Sequence, residues 1–199
     1  MNNLCITILI IISVLAIFAI GANISQGFSN KGEMQYVKAS YDGNKYLVRN
    51  LPDKIEAANM LARLREHMNA LVIHMHKAQP TKKTKKMVQK YIPENICETE
   101  VRSNFTSYNI NKGQKIVFCI RQKDTNEILD FNTLYFVALH ELTHIITKSL
   151  GHKKEFWDNF REILKFAIAN KYYTYVAYAD NPKKYCGIMI TDTPYHIST

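Results

Sequence analysis

Residues 133–146 are a largely apolar run that carries three polar groups with chemistry, His140, Glu141 and His144. On an α-helix two histidines four residues apart lie on one face about one turn apart, so both imidazoles can reach a single metal ion. Glu141 sits beside the first of them and can lean over an open coordination position. This is the set that zinc hydrolysis requires: two imidazole ligands, a third ligand from elsewhere, and a carboxylate to take a proton from water. Leu134, Val137, Ala138, Leu142, Ile145 and Ile146 recur at helical spacing, which predicts the helix independently of the motif. Asn132 serves as its expected N-cap, and the period runs to about residue 150, where Gly151 suits the left-handed position after a helix.

A chain that turns at Gly151 can bring His152 back towards the other two histidines and complete a three-histidine site. Glu155, with Asp158 and Glu162 on the following helix, offers a carboxylate as the rival third ligand.

His140-Glu-Leu-Thr-His144, Gly151-His152 and Glu155-Phe156-Trp157 together resemble the zinc peptidases of the SprT-like and WLM types, in which a third histidine and then an aromatic pair follow the first motif. Residues 46–53 and 185–194 are similar to the flanks of small, uncharacterised WLM-like proteins of large DNA viruses. The resemblance implies an α+β, zincin-like metallopeptidase domain: helices with a small antiparallel sheet or hairpin beside the metal helix. It implies Zn2+ held by His140, His144 and His152, Glu141 as general base, and a protein or peptide substrate.

The start of the chain is of another kind. Residues 1–30 contain no charged side chain, and residues 4–22 are almost continuously apolar, long enough to cross a hydrocarbon core as a helix. The division expected is a transmembrane anchor over residues 1–24, a linker over 25–44 and the metallopeptidase-like domain over 45–199. Lys31, Lys38, Lys45 and Arg49 follow the apolar run, which favours a single-pass protein with its domain on the cytosolic side; a virion is a second location. A sequon at Asn104 would matter only for a lumenal domain. The net charge of +9 belongs wholly to residues 31–199, so a tethered domain could rest on anionic lipid, bind nucleic acid or take acidic protein substrates.

Pro52 and Asp53 mark the start of a long helix whose apolar positions run from Ile55 to Met75 and which is expected to back the catalytic helix to about residue 78. His74 and His76 on it point in different directions and are read as surface or hydrogen-bonded histidines. Lys82, Lys83, Lys85, Lys86 and Lys90 form a basic run, a solvated helix face or a phosphate- or lipid-binding patch. Residues 106–110 and 114–121, joined by Asn111-Lys112-Gly113, read as a hairpin. Phe156 and Trp157 are expected to pack their helix against the metal helix. Of the four cysteines Cys5 lies in the apolar run; Cys97, Cys119 and Cys186 leave room for one bridge, with a buried cysteine the main expectation for Cys186. Tyrosines crowd residues 172–195, and one of them or His196 could stabilise an oxyanion. Two other readings stay open: a zinc-binding structural or interaction protein of a virion or internal membrane, and a basic membrane-tethered binder of nucleic acid.

Overall fold

The computed structural model describes residues 33–196. The expected anchor over residues 1–24 lies outside them, and no helix among the described residues is long and apolar enough to cross a membrane. The order is β1 (Met34–Lys38), β2 (Lys45–Arg49), α1 (Lys54–Ala78), α2 (Lys82–Lys90), β3 (Ile96–Glu98), β4 (Tyr108–Ile110), β5 (Lys115–Phe118), α3 (Phe131–Ile146), α4 (Lys154–Ala169), β6 (Lys183–Tyr185) and β7 (Ile188–Ile190). The architecture is α+β: one helical layer, a three-stranded sheet in the order β3-β5-β4, and two separate hairpins, β1-β2 and β6-β7.

Helix α3 is the centre. Twelve of its sixteen residues are buried, and beyond its first turn His140 and His144 alone are not. A helix apolar nearly all round must be covered on all sides. α1 does so on one side through Leu64, Met68 and Leu71, with Tyr135 Oη donating to the His67 carbonyl at 3.1 Å. α4 covers another through Phe156, Phe160 and Ile163. Each such side chain removed from water contributes about 1.5–3 kcal/mol.

The N-cap of α3 is Asp130 rather than the expected Asn132: its carboxylate accepts the Thr133 N–H at 2.9 Å and the Thr133 hydroxyl at 2.7 Å. The asparagine instead holds a later loop, donating to the Thr174 carbonyl and accepting its N–H.

The far end of α3 also differs from the periodicity, stopping at Ile146 instead of about residue 150. The Thr147 N–H still reaches the Thr143 carbonyl at 3.1 Å, and the two after it, of Lys148 and Ser149, are taken by the Glu155 carboxylate at 3.2 and 3.1 Å. The Lys112 ammonium takes the Thr147 and Lys148 carbonyls, both at 2.8 Å. Backbone groups satisfied sideways have no need of another helical turn. Gly151, with φ of 71°, turns the freed segment rather than capping the helix.

Strand β1 falls inside the stretch expected to be linker. Its own pattern is weak, Val37 being its one buried residue, and it exists because β2 pairs with it from Met34↔Arg49 to Lys38↔Lys45. The long α1 follows expectation, and its histidines are hydrogen-bonded: His74 to the Tyr172 hydroxyl and His76 to that of Thr84. The basic run is helix α2, opened by a reciprocal Thr81–Thr84 capping box. Lys83 pairs with Glu162, while Lys82, Lys85 and Lys90 are exposed.

The expected β4-β5 hairpin forms, with Asn111, Lys112 and Gly113 all at positive φ. β3 then adds parallel to β5. A Cβ on Gly113 would lie 2.4 Å from the Lys90 carbonyl oxygen, at a φ of 115°. Gly113→Ala should therefore lower stability by more than the roughly 1–3 kcal/mol of backbone strain alone, read as a shift of the urea midpoint. An unchanged midpoint would mean the turn can move away from α2.

At the other end, Cys186 and Gly187 both have positive φ, the two-residue turn that matches hairpin twist, and they close β6-β7. Cys186 forms a disulfide with Cys119, across a sequence separation of 67, which replaces the expected free buried cysteine; Cys97 remains a free, buried thiol.

Candidate active site

His140 and His144 leave α3 on the same face, and the turn at Gly151 returns His152 to them. His152 Nε2 lies 3.0 Å from His140 Nε2 and 3.3 Å from His144 Nε2, and one nitrogen from each ring falls within 4.8 Å of the others. Two ligands about 2.0–2.1 Å from a tetrahedral ion stand roughly 3.3 Å apart, so the set has the dimensions of three corners of such a site. Burial lowers the pKa of all three rings, His140 to about 3 and His144 to about 4, with neighbouring imidazoles adding to the effect for these two. They are neutral at physiological pH, the form that binds metal.

Phe156 braces the cluster. Its ring centroid is 4.7, 4.6 and 4.5 Å from those of His140, His144 and His152, and it is fully buried. Trp157 departs from its expected packing role: it is 41% exposed and tilts over His152 at 5.6 Å. Glu155 is committed to the Lys148 and Ser149 amides, and it is not in the histidine group. His152, rather than Glu155, is the residue that the structure groups with His140 and His144.

Glu141 is 3% exposed on the same cavity wall, and its Oε2 has no hydrogen-bond partner among the described residues. Burial pushes its carboxyl up to about 8. An unpartnered buried carboxylate oxygen is costly to fold and calls for a ligand. Its backbone carbonyl accepts from Asn109 Nδ2 at 3.0 Å, which ties β4 to the helix at the site.

The cavity measures about 450 Å3 and is lined by the three histidines, Glu141, β4 and the β6-β7 hairpin. A second cavity of about 770 Å3 lies on the other side of Ile188 and Ile190, with His140 common to both. Leu150, Ile188 and Met189 form an exposed apolar rim to these two cavities. Sequence reasoning did not single out Ser107 and Tyr185, which also line the first cavity. The tyrosine was visible only as one of many, since its hydroxyl meets Ser107 from 78 residues away.

The WLM domain profile matches residues 41–193. An uncharacterised protein of Acanthamoeba polyphaga mimivirus is 30% identical over 174 residues, 81% of this chain and 85% of that protein. An uncharacterised protein of Invertebrate iridescent virus 6 is 36% identical over 74 residues, 36% of this chain and 41% of the other. Among solved structures, Wss1 from Saccharomyces cerevisiae has 22% identity and a TM-score of 0.44, over 60% of this chain and 84% of that one. With a domain match across most of its length and a mimivirus relative along four-fifths of it, this chain belongs to the WLM domain family, a family of metalloprotease type.

Proposed function

We propose that this chain is a zinc-dependent peptidase in which His140, His144 and His152 hold the ion and Glu141 is the general base. The observation that carries the reading is the convergence of three neutral imidazole nitrogens beside an otherwise unpartnered buried carboxylate. When bound, zinc supplies a Lewis acid that makes water acidic enough to lose a proton near neutral pH and polarises a carbonyl. Glu141, held in α3 next to His140, accepts that proton and can return it to the leaving amine. Burial excludes bulk water from its carboxylate, and a divalent cation nearby would draw it to the ionised form that a base requires. β4, an edge of its sheet and fixed to Glu141 by Asn109, lies where an extended peptide could add as a further strand.

The substrate is a protein or peptide. Residues 1–24 tether the enzyme to a membrane, and exposed Lys82, Lys85 and Lys90 would add attraction to anionic lipid or nucleic acid. The Cys119–Cys186 bridge favours an oxidising setting, the lumenal side of a membrane or a virion, over the cytosolic side suggested by the lysines after residue 30.

The zinc content of the detergent-solubilised full chain tests the site. Wild type and Glu155→Ala should each hold about one zinc per chain, while His152→Ala should weaken zinc by more than the roughly 10–100-fold seen for the partners of ligands. Zinc bound equally well by His152→Ala would remove the three-histidine centre, and with it the enzyme reading.

A further inference from the structure

Beside the histidines and Glu141, the first cavity carries a pair of hydroxyls with unspent capacity. Ser107, just before β4, and Tyr185, at the end of β6, bring their hydroxyl oxygens within 2.6 Å. Ser107 Oγ also accepts the Cys119 N–H at 3.1 Å. Two hydroxyls own two hydrogens, and one of these lies in the bond between them. Whichever oxygen donates, one hydrogen is left over, and no acceptor among the described residues takes it. Tyr185 is 2% exposed, and burial pushes its phenol well above the ordinary value, so it keeps its hydrogen at neutral pH.

The supports of this pair are covalently joined. Cys119 supplies the N–H that holds Ser107, Cys186 follows Tyr185 in the chain, and the disulfide links the two cysteines. Besides it, the hairpin is held to the β5–α3 connection by the Gln122 side-chain amide on the Lys184 carbonyl and by the exposed Lys184–Asp124 pair. A three-residue strand paired only to its neighbour is marginal alone, so the disulfide adds a covalent tie to the core packing that places the tyrosine.

We propose that the Ser107–Tyr185 hydroxyl pair donates the hydrogen bond that stabilises the carbonyl oxygen of the substrate as water adds, and that the Cys119–Cys186 bridge holds this pair at the site. The inference rests on the peptidase reading above. Amide hydrolysis needs an acceptor for a proton and a donor for the developing oxyanion, and this cavity supplies both: Glu141 Oε2 and the spare hydroxyl hydrogen. The Ser149 hydroxyl, also without a partner among the described residues, stands on the loop after α3 with no second hydroxyl to brace it.

The test uses the zinc-loaded full chain, fluorescein-labelled casein, and a quenched-fluorescence peptide carrying one casein cleavage site. Ser107→Ala and Tyr185→Phe each leave one hydroxyl with its hydrogen, so each should lower kcat by less than about fivefold, whereas the double variant should lower it by roughly 10²–10³. KM and zinc content should change little, because the interaction belongs to the transition state, while the thermal midpoint should fall only by the share due to the Cys119 N–H that Ser107→Ala leaves unpaired. A Cys119→Ala/Cys186→Ala change should lower kcat in the wild type and have no further effect in the double hydroxyl variant. A double hydroxyl variant within tenfold of wild type, or one that loses zinc and folding along with rate, overturns the donor assignment. Equal losses from removing the bridge in both backgrounds overturn its bracing role. A wild type that binds zinc and cleaves no casein overturns the peptidase reading and this proposal with it; an active wild type confines any failure to the proposal.

Discussion

Replacing Glu141 by glutamine should lower peptide hydrolysis by about 10³-fold, within the range for loss of a general base, while zinc stays bound. The change is isosteric, so the packed wall around a residue 3% exposed need not move. The amide cannot accept a proton, however, and among the described residues no other carboxylate lines the first cavity, Glu155 being held by two backbone amides outside the cluster. The three imidazoles are untouched, as is the Asn109 bond to the backbone carbonyl of residue 141. Casein cleavage and metal content measured on the same preparation decide the matter. Undiminished cleavage would remove Glu141 from the base role, and loss of zinc together with activity would make it a support of the metal site.

The largest loss of stability should come from Glu98, far from the histidines. Its carboxylate is fully buried between two arginines: Oε1 accepts from Arg121 Nε at 2.8 Å and lies 3.5 Å from Arg49 Nε, and Oε2 accepts the Arg49 N–H at 2.7 Å. Arg121, itself 1% exposed, reaches on to Asp53 before α1 and to the Asn126 carbonyl at 2.9 Å. One cluster thus joins β2, β3, the start of α1 and the connection into α3. Glu98→Gln leaves two guanidinium groups facing each other without their shared counter-charge, and should cost about 3–5 kcal/mol in urea unfolding. Replacing Glu98, Arg49 and Arg121 together by apolar residues of similar volume should cost less than Glu98→Gln alone, because no guanidinium then stays buried without its partner and Asp53 is partly exposed to water. A Glu98→Gln midpoint near that of wild type would mean that water enters the cluster and the charges are not desolvated.

What the sequence by itself determined is local or periodic. The His-Glu-Leu-Thr-His run sets its own geometry, because 3.6 residues per turn places His140 over His144 in any helix. The extent of α1 followed from its apolar period, the β4-β5 hairpin from Asn-Lys-Gly between two strand-forming runs, and the turn at Gly151 from a residue that tolerates positive φ. His152 was legible for the same reason, being one residue past that turn.

What only the tertiary structure decided depends on partners distant in the chain. The end of α3 is set by Glu155 and Lys112, which take backbone groups that would otherwise continue the helix. Strand β1 exists through β2, and the Cys119–Cys186 bridge needed two turns to be brought together across 67 residues. Trp157 shows the limit most simply: one step from Phe156 it stands on another side of α4, and only the packed chain shows that this side is left open on the second cavity while Phe156 is sealed beneath the histidines. A helical period tells which residues share a face; what covers that face, and where the cover ends, is a property of the packed chain.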